Sequence, residues 1–126
     1  MVGLCWFVQI VHYPLMQSID PKQFTDYQKK NWVTGYVTGP IMIVELITGL
    51  VLWYQFQDQM HYANMALIAI TGFSTFLVQI PIHLKLKKEY NNLLIKRLIQ
   101  TNWVRTISWT LRVILLSILL TKHFSF

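Results

Sequence analysis

Five side chains in this 126-residue chain carry chemistry into otherwise apolar stretches: His12, Glu45, His83, Arg105 and Arg112. Two histidines on different helices, estimated to lie at a similar depth, suit three tasks. They can tie helix ends together by hydrogen bonds, ligate a metal or a haem iron between them, or shuttle protons and bind substrate. Two ligands alone do not specify a metal. Glu45 and Arg112 carry opposite charges at similar depth, which fits either a buried ion pair or a pair lining a ligand cavity or proton route. In a catalytic site a histidine would act as base, and an arginine such as Arg105 would stabilise developing negative charge.

Helical spacing gathers polar companions around these residues. Cys5, Gln9, His12 and Met16 share one face, and Thr34, Thr38, Glu45 and Thr48 roughly share another. Thr71, Thr75, Gln79 and His83 recur every four residues, while Asn102, Arg105, Trp109 and Arg112 form a fourth stripe. The candidate catalytic residues are therefore His12, Glu45, His83 and Arg105. Gln9, Tyr13, Thr38, Gln79, Asn102 and Arg112 are candidate substrate-binding residues, and His12 with His83 is the candidate metal or haem pair. At about 1.5 Å of helical rise per residue, Glu45 sits roughly 12 Å deeper than His12, which argues against a triad with the histidines.

The elements that must hold these stripes are long apolar helices. Hydrophobic residues make up 54% of the chain and charged residues only 13%, against about 25% in an ordinary soluble domain. A bilayer core of about 30 Å takes roughly 20 apolar residues of helix. Four stretches come close: about 1–16, 33–54, 62–84 and 103–121. The first lacks the basic start and small-residue end of a signal peptide and reads as a span. Residues 20–32 read as an interfacial helix, with Asp20 as N-cap and Pro21 in the first turn. Residues 85–102 read as a basic, helical connection. The expected fold is thus all-α, a single four-helix transmembrane bundle over 1–126 with a partly polar core. Gly35 and Gly39 form a GxxxG step that predicts close packing of the second helix. His61 and His123 are expected to be solvated or interfacial.

Charge sets the expected orientation. Eleven Lys and Arg outnumber five Asp and Glu, for a net charge of +6. Lys22, Lys29, Lys30, Lys85, Lys87, Lys88, Lys96 and Arg97 all fall in the two longer connections, which the positive-inside bias places in the cytoplasm, with both termini outside. Cations flanking apolar spans need no nucleic-acid partner to account for them. Cys5 is the single cysteine, so a disulfide scaffold is excluded. No Walker loop, dinucleotide fingerprint, nucleophile elbow or CxxC is present.

The strings VHYPL, TGPIMIVEL, QIPIHLKL and LIQTNWVRTISWTLR, in this order and spacing, resemble a group of small four-helix bacterial membrane proteins. That group is more distantly similar to the anthrone-oxygenase-like membrane family. The shared pattern is a proline closing the third helix, then Asn, an aromatic or His, and Arg-Thr opening the fourth. Pro81, Asn102, Arg105 and Thr106 match it. A histidine often follows the Asn in that family, whereas this chain has Trp103. The resemblance implies an oxidoreductase or oxygenase in the cell membrane, acting with molecular oxygen on a hydrophobic substrate such as a quinone or polyketide-like aromatic. The sequence equally accommodates a non-catalytic subunit or oligomer within a larger membrane complex, or a haem-binding or proton-conducting bundle.

Overall fold

The computed structural model describes residues Met1–Phe124, and the chain there folds as four helices with no strand among the described residues. α1 spans Val2–Met16 and α2 spans Pro21–Phe56, its segments Pro21–Asn31 and Val33–Phe56 meeting at Trp32. α3 spans Gln59–Leu86 and α4 spans Asn92–His123. α2, α3 and α4 are long and apolar enough to cross a membrane. α1 is not, which corrects the four expected spans to three by this measure. Its helix is about 22 Å long at 1.5 Å per residue, because the chain turns at Gln17 and restarts at Pro21.

Two further boundaries differ from the sequence reading. The basic stretch 85–102 is divided between the end of α3, a tight turn, and the first three turns of α4. Asn91 starts α4 by accepting hydrogen bonds from the Leu93 and Leu94 amides, at 3.0 and 3.2 Å. The segment Pro21–Asn31, capped by Asp20 through the Lys22 amide at 2.9 Å, runs almost without interruption into the rest of α2. Trp32 keeps helical dihedrals at that junction, and Lys87 of the α3–α4 turn sits 5.0 Å over its ring.

Prolines shape α1 and α3. A helical proline donates no hydrogen bond, and its ring crowds the carbonyl four residues earlier. Both helices relieve that crowding by widening the preceding turn to a π-type pitch, over Val8–His12 before Pro14 and over Ser74–Gln79 before Pro81. The Tyr13 amide bonds the Val8 carbonyl and the Ile80 amide that of Thr75, five residues back in each case. Each widened turn adds a residue to the inward-facing sequence. On α3 the buried positions accordingly run Ile68, Thr71 and Ser74 and then jump to Gln79, Ile82 and Leu86.

The main apolar core lies where the end of α1, the start of α2, the end of α3 and the start of α4 meet. Met16, Phe24, Leu86, Ile95 and Leu98 are fully enclosed there, and Phe24 meets Tyr90 edge-on at 5.1 Å. At the opposite end Gln57, in the left-handed region at φ 38°, stops α2 and turns the chain into α3. His61, expected to be solvated or interfacial, is buried. Its ring stacks on Phe56 at 4.9 Å, its amide and ring bond the Asp58 carboxylate, and those bonds hold Asp58 below the usual carboxylate range.

Between these ends α2 stands off the bundle. Its Val33–Phe56 segment packs on the first part of α3, and its one buried residue is Gly49. A Cβ at Gly49 would collide with the Ile68 side chain, so glycine there permits the close approach. Gly35 and Gly39, expected to form the packing step, have no atom within 4 Å of where a Cβ would sit. They border open space instead.

These environments predict opposite outcomes. Gly49→Leu should lower the Tm in detergent, at a cost of about 1–3 kcal/mol for overpacking. Gly35→Ala should leave the Tm unchanged or raise it, since alanine favours helix by about 1 kcal/mol over glycine. Equal losses at both positions would contradict this account of α2.

Candidate functional site

The gap under α2 is a cavity of about 890 Å³ bounded by all four helices. Its wall is mostly apolar. Polar groups enter from α1 (Cys5, His12 and Tyr13), from α2 (Gln28, Asn31 and Thr38) and from α3 (Gln79 and His83), and α4 adds Asn102, Arg105 and Trp109. Of the residues singled out from sequence, His12, Tyr13, Thr38, Gln79, His83, Asn102 and Arg105 reach this one space. Gln9, Glu45 and Arg112 do not line it.

His83 is fully committed to a hydrogen-bond chain. The Gln28 side-chain nitrogen, which can only donate, lies 3.1 Å from His83 Nδ1, so Nδ1 accepts. Tyr13 donates its hydroxyl proton to Gln79 Oε1 at 3.0 Å, so its oxygen, 3.2 Å from His83 Nε2, accepts from that nitrogen. The imidazole is therefore neutral, with its proton on Nε2. The chain continues from Gln79 Nε2 to Thr101 Oγ1 at 2.9 Å, and on the other side Asn31 donates to Gln28 Oε1 at 3.0 Å. The widened turns make this possible, since they end at His12 and Gln79 and bring Tyr13 and Gln79 inward together.

This arrangement fits poorly with metal or haem ligation by His12 and His83. His83 has no free lone pair, and binding iron through it would break the links to Gln28 or Tyr13. Among the described residues no group of three or more His, Cys, Asp or Glu is placed to hold a metal.

A second set of contacts positions Arg105. Gln9 donates to the Ile99 carbonyl at 3.1 Å and accepts from Asn102 Nδ2 at 2.9 Å, so Gln9 supports the site without lining it. Asn102 Oδ1 then receives Arg105 Nη1 at 3.4 Å. Arg105 Nε has no partner, and neither do His12 Nε2 nor Trp109 Nε1. All three atoms are buried, and all three residues line the cavity. An unsatisfied buried polar group costs about 1–3 kcal/mol, more when charged, so three on residues around one cavity leave its wall short of hydrogen-bond partners.

Glu45 and Arg112 form a separate centre. Arg112 Nη1 bonds Glu45 Oε2, Arg112 Nε donates to Asn64 Oδ1 at 2.8 Å, and the guanidinium lies 5.1 Å from the Trp109 ring. The Met1 nitrogen is 3.9 Å from the other Glu45 oxygen. Glu45 thus joins α2 to α4 and does not line the cavity that both histidines reach. Trp103, at the position where a histidine is common in the resembling family, faces outward and meets Trp6 edge-on at 5.7 Å. Gln28 and Asn31 escaped the sequence reading because they sit in a polar, amphipathic segment. Their spacing from Phe24, at four and seven residues, was the available signal.

Compared with protein families, curated proteins and solved structures, the chain matches none.

If Glu45–Arg112 is a structural tie, Glu45→Ala should cost roughly 3 kcal/mol, the lower end for breaking a buried pair. The double variant Glu45→Leu, Arg112→Met should recover most of that Tm loss. A double variant as unstable as the single one would contradict the assignment.

Proposed function

We propose that this is an integral membrane protein that binds a hydrophobic small molecule, such as a quinone or polyketide-like aromatic, in the cavity under α2. The observation that carries the reading is the pairing of a large apolar cavity with unpartnered buried nitrogens on His12, Arg105 and Trp109. Apolar walls hold a ring system or chain, and the few polar groups orient it. Three helices of sufficient length and the large aliphatic side chains exposed along α2 support a bilayer setting. The cluster of cations at the α3–α4 turn and the start of α2 supports a cytoplasmic location for that end and an outer location for the termini.

The donor set supports one kind of chemistry on such a ligand. His12 Nε2, which has no partner, is the group able to accept a proton from a ligand hydroxyl or activated C–H. Arg105 would hold the oxyanion left behind. His83, with both nitrogens engaged, acts as a positioning residue for Tyr13 and Gln28. The resemblance to oxygenase-like membrane proteins makes an oxidoreductase acting with molecular oxygen the enzymatic form of this proposal.

The glycines bordering the cavity supply a test that leaves the polar groups untouched. In lipid nanodiscs, 2-methyl-1,4-naphthoquinone should saturably quench tryptophan fluorescence through Trp109. Gly39→Leu combined with Gly72→Leu grows side chains into open space and should abolish saturable quenching without lowering the Tm. Unchanged quenching in the filled variant, or no saturable quenching in the native chain, would refute the proposal.

A further inference from the structure

The charge balance of the cavity narrows the class of ligand. Its titratable wall residues are Cys5, His12, Tyr13, Tyr36, His83 and Arg105, with no Asp or Glu. Arg105 is 8% exposed, and its partners are neutral: the Asn102 amide oxygen at 3.4 Å and the Tyr13 hydroxyl beside it. No carboxylate lies within ion-pairing distance of it among the described residues, and Glu45 is already held by Arg112. The contrast between the two arginines is informative. Arg112 meets a carboxylate, an amide oxygen and an aromatic face. Arg105, equally enclosed, meets none of the first kind. A guanidinium in such surroundings is strongly stabilised by an anionic oxygen, and Arg geometry favours carboxylate-like or oxyanionic groups.

Resting on the reading of the cavity as a ligand site, we infer that its ligand is an amphipathic acid. An apolar ring system or chain fills the space along α2, and an anionic oxygen group seats on Arg105. Trp109 Nε1 is a neutral donor able to bond a further ligand oxygen. His83 keeps its proton on Nε2 for Tyr13, so it adds no second cation, and one negative charge balances the site. Such an oxygen belongs to a carboxylic acid, to an acidic hydroxyl on an aromatic or quinone ring, or to an anionic phospholipid headgroup. These sources share the chemistry that Arg105 recognises.

A matched ligand pair tests this. 2-Hydroxy-1,4-naphthoquinone is ionised at neutral pH, and 2-methyl-1,4-naphthoquinone is its neutral counterpart of similar shape. With the native protein in nanodiscs of zwitterionic lipid, the hydroxy compound should bind at least tenfold more tightly. Hexadecanoate should likewise outcompete hexadecanol. Arg105→Gln should erase the preference, bringing the acid's affinity down to that of the neutral quinone in the same variant, and Arg105→Lys should retain part of it. Nanodiscs containing an anionic phospholipid distinguish the sources, since displacement of the bound acid by that lipid identifies a bilayer headgroup as the ligand. Equal binding of acid and neutral forms by the native protein would overturn the inference while leaving the cavity a ligand site. Binding of neither would overturn both. A preference that survives in Arg105→Gln would assign the charge recognition elsewhere and also defeat it.

Discussion

A proline inside a helix cannot donate to the carbonyl four residues earlier and presses against it. The rest of this structure follows from how Pro14 and Pro81 meet that constraint. Each is preceded by a turn of wider pitch, on two helices that face the same space. The widening rotates the residues beyond it relative to those before. On α1 it turns Tyr13 inward beside His12, and on α3 it turns Gln79 inward and leaves His83 within reach of Tyr13. Without the wider turns, a regular 3.6-residue pitch would rotate Tyr13 and Gln79 relative to the residues that precede each turn.

The inward polar groups then divide into two populations. Tyr13, Gln28, Gln79 and His83 satisfy one another, as do Gln9 and Asn102. In apolar surroundings such closed networks fix side-chain positions because every alternative leaves a donor or acceptor bare. His12, Arg105 and Trp109 are held in place beside these networks without being completed by them. That difference separates a satisfied polar layer from an unsatisfied one. It also explains why Arg112, two helical turns further along the same face of α4, belongs to the scaffold. Its charge is answered by Glu45, which fastens α2 to α4. With Gly49 seated on Ile68 nearby, α2 is anchored at one end of the cavity and by Phe24 at the other, and the middle spans the opening.

Much of α4 was legible in the sequence because it is a regular helix. The spacing of Asn102, Arg105, Trp109 and Arg112 placed them on one face, and all four are buried. The cap at Asp20 and the paired charges of Glu45 and Arg112 were readable for the same local reasons. The stripes on α1 and α3 were harder, since a strict four-residue repeat takes no account of a widened turn. Thr71, Thr75, Gln79 and His83 all reach the cavity, but Ser74 is more deeply buried than Thr75, and Tyr13 more deeply than His12. The GxxxG step failed for a different reason. Small residues permit close approach on whichever face meets another helix, and here that face carries Gly49, while Gly35 and Gly39 border the cavity. Sequence spacing also could not reveal that both nitrogens of His83 find partners, because one of them comes from Gln28 on a segment read as interfacial.

The central claim is that the incomplete polar set around the cavity is completed by a bound molecule. Native mass spectrometry of the protein released directly from its own membranes tests this without any choice of ligand. The account predicts a population carrying one discrete small-molecule mass, reduced in Arg105→Gln and absent when Gly39 and Gly72 are both replaced by leucine. A native chain that emerges only at its bare mass, under release conditions shown to preserve noncovalent ligands, would contradict it.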